Sequence, residues 1–164
     1  MRRSAVAGLL TLALSSSAWA QAKQLPEGRL TLFAGNSAAA NFFQESSVTR
    51  VGERVTLKMF RVYATDFPTS NGPISQDVTR LAIDCSDRTF ELLSIDAFQG
   101  SGQWVNSLPP EPPAKIEPLQ TWDFLARIFC DGVQMAPSAT VEGVAAARRL
   151  GLSRLQGDPD ISRR

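Results

Sequence analysis

The stretch Val78–Phe98, VTRLAIDCSDRTFELLSIDAF, decides the fold. From Val78 to Cys85, Leu81, Ile83 and Cys85 fall on one face, while Arg80, Ala82 and Asp84 fall on the other. That is the period-two alternation of a strand. Arg88 to Phe98 is the longest strand-like run in the chain, and only Ser86-Asp87 separates it from the first. The pair therefore reads as a tight antiparallel hairpin. Burying Cys85 beside leucine and isoleucine suits a structural bridge better than a reactive thiol, which needs exposure.

Upstream, Gly28–Gly35 (GRLTLFAG) is a short strand, and Ala38–Gln44 (AAANFFQ) reads equally as helix or strand. Arg50–Glu53 is a turn. After it Val55, Leu57, Met59, Arg61 and Tyr63 alternate with Thr56, Lys58, Phe60 and Val62 in a further strand. Residues 65–77 read as a loop, because Asn71-Gly72-Pro73 is a turn signal and proline is unwelcome in a central strand.

Downstream, Gln99–Gly102 is a turn and Gln103–Val105 a short last strand. Residues 107–118 hold half of the chain's ten prolines and read as a polyproline connector. A helix is predicted from Thr121 to about Cys130, with Thr121 as N-cap, Asp123 in the first turn and Trp122, Leu125, Ile128 and Phe129 on its apolar stripe. It returns Cys130 to the sheet near Cys85, and Asp131-Gly132 ends it. Ser138–Leu150 reads as a second helix closed by Gly151, with 151–164 a frayed tail.

The first twenty residues have another texture. Arg2 and Arg3 precede an apolar run, Ala5–Leu14, and Ala18-Trp19-Ala20 supplies an A-x-A cleavage pattern. The run is too short for a membrane span, which needs roughly 20 apolar residues. Residues 1–20 are therefore expected to be an export signal, cut after Ala20 or after Ala22. The expected organisation is signal peptide 1–20, a folded domain over 21–135, and a C-terminal helix with a basic tail over 136–164. Cys85 and Cys130, an even pair in an exported chain, are expected to form a disulfide. No cysteine follows the signal closely, so a lipid anchor is not expected.

The chain carries 17 Lys and Arg against 16 Asp and Glu, and it has no histidine. The missing histidine excludes Ser-His-Asp and Cys-His catalysis and histidine metal sites. Near-neutral charge argues against nucleic-acid binding, which needs a concentrated basic footprint. No phosphate-binding glycine loop, HExxH or GxSxG is present. The carboxylates Asp66, Asp77, Asp84 and Asp87 do not form a recognisable calcium loop. Neither catalytic residues nor a cofactor or metal is expected. Charge is asymmetric: Arg148, Arg149, Arg154, Arg163 and Arg164 crowd the C-terminal 22 residues against Asp158 and Asp160. These arginines are the candidate contacts for a polyanion or membrane surface.

The run LAIDCSDRTFELLSIDAFQGSGQWV, with the later TWDFLARIFC, resembles the bacterial surface-adhesin protein E-like family. The matching features are Asp84-Cys85, Arg88, the strand Phe90–Phe98, the turn Gly100–Gly102 and the helix Thr121–Cys130. The resemblance covers about residues 28–132. It implies a small exported α+β protein, an antiparallel β-sheet with a short helix packed on it and stapled by one disulfide. The family's best-studied member looks like a dimeric outer-surface adhesin that binds host matrix proteins and haem, an activity that the missing histidine and the missing lipid-anchoring cysteine weigh against in this chain. Without histidine, haem would have to use Tyr63, a methionine or no axial protein ligand.

The reading is an exported cell-envelope protein, periplasmic or secreted, with a non-enzymatic structural or protein-binding role. Its expected partner is another envelope or extracellular protein, or a second copy, with no membrane span. Two alternatives stay open. One is a small enzyme or inhibitor using Asp84, Glu91, Asp96 and Arg88. The other is polyanion binding through the C-terminal arginines.

Overall fold

The computed structural model describes residues 23–135 and 139–157. The expected signal, residues 1–20, and Arg163 and Arg164 lie outside the described residues. The chain runs β1 (Arg29–Gly35), β2 (Ala39–Gln44), β3 (Thr49–Val51), β4 (Arg54–Phe67), β5 (Ile74–Asp84), β6 (Thr89–Phe98), β7 (Trp104–Leu108), β8 (Glu111–Lys115), α1 (Thr121–Phe129), β9 (Thr140–Glu142) and α2 (Gly143–Leu155). All pairings are antiparallel, in the order β7-β6-β5-β4-β2-β1-β9, with β3 also on β4 and β8 also on β6. The α+β class, the single sheet and the stapled helix agree with the sequence reading.

The centre is β4-β5-β6, three long strands that carry shorter ones on their outer edges. β6 pairs β7 with its C-terminal half and β8 with its N-terminal half. β4 does the same with β2 and β3. The β5–β6 hairpin closes where expected, and the Asp84 carboxylate ties the turn by accepting the Ser86 and Asp87 N–H groups. Those bonds, with the Ser86 hydroxyl, favour the ionised form and hold the Asp84 carboxyl below the usual carboxylate range.

Both faces of the sheet are buried. On β4, Val55, Leu57 and Met59 point one way, and Phe60 and Val62 point the other. The first set joins Phe33, Phe43, Leu81, Ile83 and Leu92 beneath Leu125 and Ala126 of α1. The second joins Leu30, Ala40, Phe42, Val78 and Phe98 beneath Ala147 of α2. A fully buried leucine such as Leu125 contributes about 1.5–3 kcal/mol. Burial on both sides resolves the ambiguity of residues 38–44. They form a strand whose residues Ala39–Phe43 are all buried, so neither face shows a polar alternation.

Five local expectations change. Residues 65–77 are mostly strand, because β4 runs to Phe67 and β5 starts at Ile74, leaving Pro68 and Pro73 at the strand ends. The proline connector includes β8, an exposed edge strand on β6. The N-cap of α1 is Gln120 with no side-chain cap bond, and Asp123 instead accepts the Leu119 N–H at 3.1 Å. Thr121 is thus the first helical residue. The second helix begins at Gly143, after a short strand, β9, that pairs with β1. Finally, Gly151 lies inside α2 rather than ending it, and it is buried against the sheet. Its missing side chain permits close approach: a Cβ there would stand 3.1 Å from Ala40 Cβ and 3.3 Å from Phe42 Cε2.

Candidate functional site

Three regions gather polar chemistry. The first is the corner where α1 meets the β5–β6 turn. The Cys85–Cys130 disulfide joins the end of β5 to the C-cap of α1, with Cα atoms 5.5 Å apart. Two arginines reinforce it. Arg50 donates to the Phe129 carbonyl at 2.9 Å. Arg88 donates to the Asp131 carboxylate at 2.9 Å and lies 3.7 Å from Asp123. Asp84 and Asp87 are nearer to Arg88 in sequence, yet its ion pairs are made with α1 and the residue beyond the helix C-cap. In the structure its left-handed backbone, φ 51°, sits at the turn and its side chain reaches across to α1. Cations at the C-terminal end of a helix also complement its dipole. Phe90 stacks on Trp122 and Phe129 meets Phe43 edge-on. Both cysteines of the chain are oxidised, so this corner is a clamp with no free thiol.

The second region is a polar cluster on the α1 side of the sheet. Arg61 on β4 sits directly opposite Asp77 on β5, and Asn41 on β2 sits opposite Arg61. The Tyr63 hydroxyl donates to Asp77 Oδ2 at 2.5 Å and Thr79 donates to Oδ1 at 2.9 Å. Arg61 Nε donates to Asn41 at 3.1 Å, while its Nη1 stands 3.9 Å from Asp77. Asp77 is 2 % exposed, so these bonds replace the water it loses. Burial and the adjacent carboxylate push the Tyr63 phenol up to about 12. The sequence named Tyr63 and Asp77 for separate roles. Their pairing depends on the register of β4 against β5, which the residue pattern alone does not specify.

This cluster also answers the question of haem. A tyrosinate ligand requires the phenol to ionise, and here the proton is held toward Asp77. Met59 is fully buried, and Met135 packs into the core beneath α1. These residues do not fit haem ligation.

The third region surrounds α2. Arg149 and Arg154 are exposed on this helix, whereas Arg148 is partly buried. Arg148 and Arg149 line a cavity of about 460 Å³ with Leu25, Gln76, Gly100, Gly102, Val144 and Leu152. Arg154 instead borders a groove of about 380 Å³ beside Leu32–Asn36. The five arginines named from the sequence thus divide between an inward site, the exposed helix and the undescribed terminus.

The carboxylates nominated for catalysis are dispersed. Glu91 pairs with Arg54 at 2.5 Å, Asp96 with Lys23 at 3.0 Å, and Arg88 with α1. Asp84 is committed to its turn. Only Asp96 borders a described cavity, about 570 Å³, shared with Lys58 and Arg80. Among the described residues, no group of three or more Asp, Glu or Cys is arranged to hold a metal. No described helix is long and apolar enough to cross a membrane.

Comparison with known proteins completes the description. The model of a family described as surface-adhesin protein E matches residues 30–131. That span runs from Leu30, the second residue of β1, to Asp131, the residue after Cys130. No curated protein sequence matches the chain. Among solved structures, Haemophilus influenzae protein E is similar at 13 % identity and TM-score 0.45, covering 66 % of this chain and 87 % of that one. Its selenomethionine form is similar at 12 % identity and TM-score 0.44, covering 66 % and 94 %.

Proposed function

The chain belongs to the surface-adhesin protein E family, and from that membership we propose that it is an exported envelope protein that acts by binding another protein rather than by catalysis. The observation that carries this reading is the extent of the family match. It spans β1 to β8 from Leu30 onward, α1 and both cysteines, the strands and helix that the disulfide staples together. The basic-then-apolar N-terminus and the A-x-A pattern support export, and a disulfide suits an oxidising compartment. The mature protein, cut after Ala20 or Ala22, would stay in the periplasm or pass outside the cell. Its partner would be another envelope or extracellular protein, or a second copy.

Exposed apolar side chains mark where to look. Val51 on β3 is 81 % exposed, Leu119 before α1 is 80 % exposed, and Phe124 and Val133 are exposed on and just after α1. Trp104 and Leu108 are exposed on β7. Aromatic and apolar groups of this kind anchor protein interfaces. A photo-crosslinking residue placed at Val51, Phe124 or Trp104 in the full chain, activated in intact cells, tests the reading. The expected result is a discrete adduct at one of these sites, identified by mass spectrometry from the envelope or extracellular fraction. Retention of the protein in the cytoplasm, or no discrete adduct at any site, would overturn it.

A further inference from the structure

The cavity behind α2 contains two polar atoms with no partner. Arg148 Nη1 is fully shielded from solvent and makes no hydrogen bond, and Gln76 Oε1 is in the same position. Gln76 is 1 % exposed. Its amide orientation is fixed because Nε2 donates to the Gln99 carbonyl at 2.9 Å, so the oxygen is the orphan. The Arg148 guanidinium makes no ion pair among the described residues. It rests on the backbone of Gly100, where a Cβ would stand 2.6 Å from both terminal nitrogens. Buried polar groups normally find partners, and a shielded cation without one is costly. Leu25, Val144 and Leu152 give the cavity an apolar wall, and Ser101 and the exposed Arg149 lie at its margin.

We propose that this cavity binds a small amphipathic carboxylic acid, its acid head on Arg148 and its apolar body against Leu25, Val144 and Leu152. Of the two arginines that line the cavity, Arg148 is the partly buried one and Arg149 is exposed to solvent; the Arg148 guanidinium fork fits the two oxygens of one carboxylate. Gln76 Oε1 supplies an acceptor for a hydroxyl on the ligand. The volume, about 460 Å³, lies within the range of small-molecule sites. The site does not rest on the protein-binding reading: its anchoring cation, Arg148, lies beyond the span of the family match, while Gln76 and Gly100 lie within it.

The test uses the purified, delipidated exported chain with decanoate, 3-hydroxydecanoate and decanol as probes below their micellar concentrations, followed by calorimetry. Decanoate binds, decanol binds about 10- to 100-fold more weakly, and 3-hydroxydecanoate binds more tightly than decanoate. Arg148→Met removes the preference for the acid over the alcohol, and Arg154→Met retains it. Gly100→Ala, which displaces the guanidinium without removing it, also loses the preference and keeps the assay informative if Arg148→Met fails to fold. Absence of decanoate binding, equal affinity for acid and alcohol, or an unchanged preference in both the Arg148 and Gly100 variants would overturn the proposal. A 3-hydroxy acid weaker than decanoate would overturn the role of Gln76.

Discussion

Substitution at Gly151 separates a seated α2 from a solvated tail. In the structure Gly151 is buried in mid-helix, and a Cβ would meet Ala40 Cβ at 3.1 Å, Phe42 Cε2 at 3.3 Å and Val62 Cβ at 3.5 Å. Alanine gains about 1 kcal/mol of helix propensity over glycine. It must press Ala40 and Phe42 back by a few tenths of an ångström, a small overpacking that offsets most of that gain. Gly151→Ala is therefore expected within about 1 kcal/mol of the parent. Valine adds two more carbons where the first is already tight, so α2 must lift from the sheet. Overpacking of this kind costs about 1–3 kcal/mol, against a propensity gain of about 0.4 kcal/mol. Gly151→Val should lower the urea midpoint by about 1 M, taking a slope of about 2 kcal/mol/M. Were α2 a solvated tail, both variants would be neutral or stabilising. A valine variant as stable as the alanine variant would refute the packing of α2 against β2 and β4.

Other consequences are equally measurable. Replacing both Cys85 and Cys130 by alanine opens a loop of sequence separation 45 and should cost about 4 kcal/mol on the chain-entropy estimate. A loss under about 1 kcal/mol in denaturant melts would contradict that account. Arg88→Met removes the contacts to Asp123 and Asp131 and should lower stability by about 1 kcal/mol, given their partial exposure; the effect should shrink in high salt. Tyr63 is the sole tyrosine, so absorbance titration reads it directly. Burial and the neighbouring Asp77 raise its folded pKa to about 12, above the ordinary phenol value of about 10. The folded state therefore retains a proton that the unfolded state releases, and this contribution to stability falls as pH rises from about 10 to 12. Ionisation near 10 in the folded protein would contradict the Tyr63–Asp77 bond. Tyr63→Phe should cost about 1–3 kcal/mol by leaving Asp77 short of a donor.

What the residues disclosed follows from how clearly each face contrasts with its opposite. The β5–β6 hairpin and α1 were legible because apolar and polar positions alternate with a definite period in Val78–Phe98 and Thr121–Phe129. β2 was ambiguous because Ala39–Phe43 are buried on both sides and show no period. The placement of α2 was illegible for a related reason. Its buried positions are Ala147 and Gly151, small residues that mark no apolar stripe, and glycine there serves close approach rather than termination. Site chemistry was less accessible still. Tyr63, Asp77, Gln76 and Arg148 acquire meaning only through register and tertiary contact, since no local spacing brings them together.

The proline-rich edge has a consequence beyond shape. β8 covers the outer margin of β6, and its register shifts between Phe90 and Leu92 opposite Pro112 and Pro113. Those two residues have no N–H to offer another strand. An exposed sheet margin is where copies of a chain join into aggregates, and prolines there interrupt such growth. For a protein expected to fold after export, away from the cytoplasm, this edge is a built-in safeguard of solubility. Exchanging Pro112 and Pro113 for valine would be felt first in the yield of soluble protein, before any change in stability.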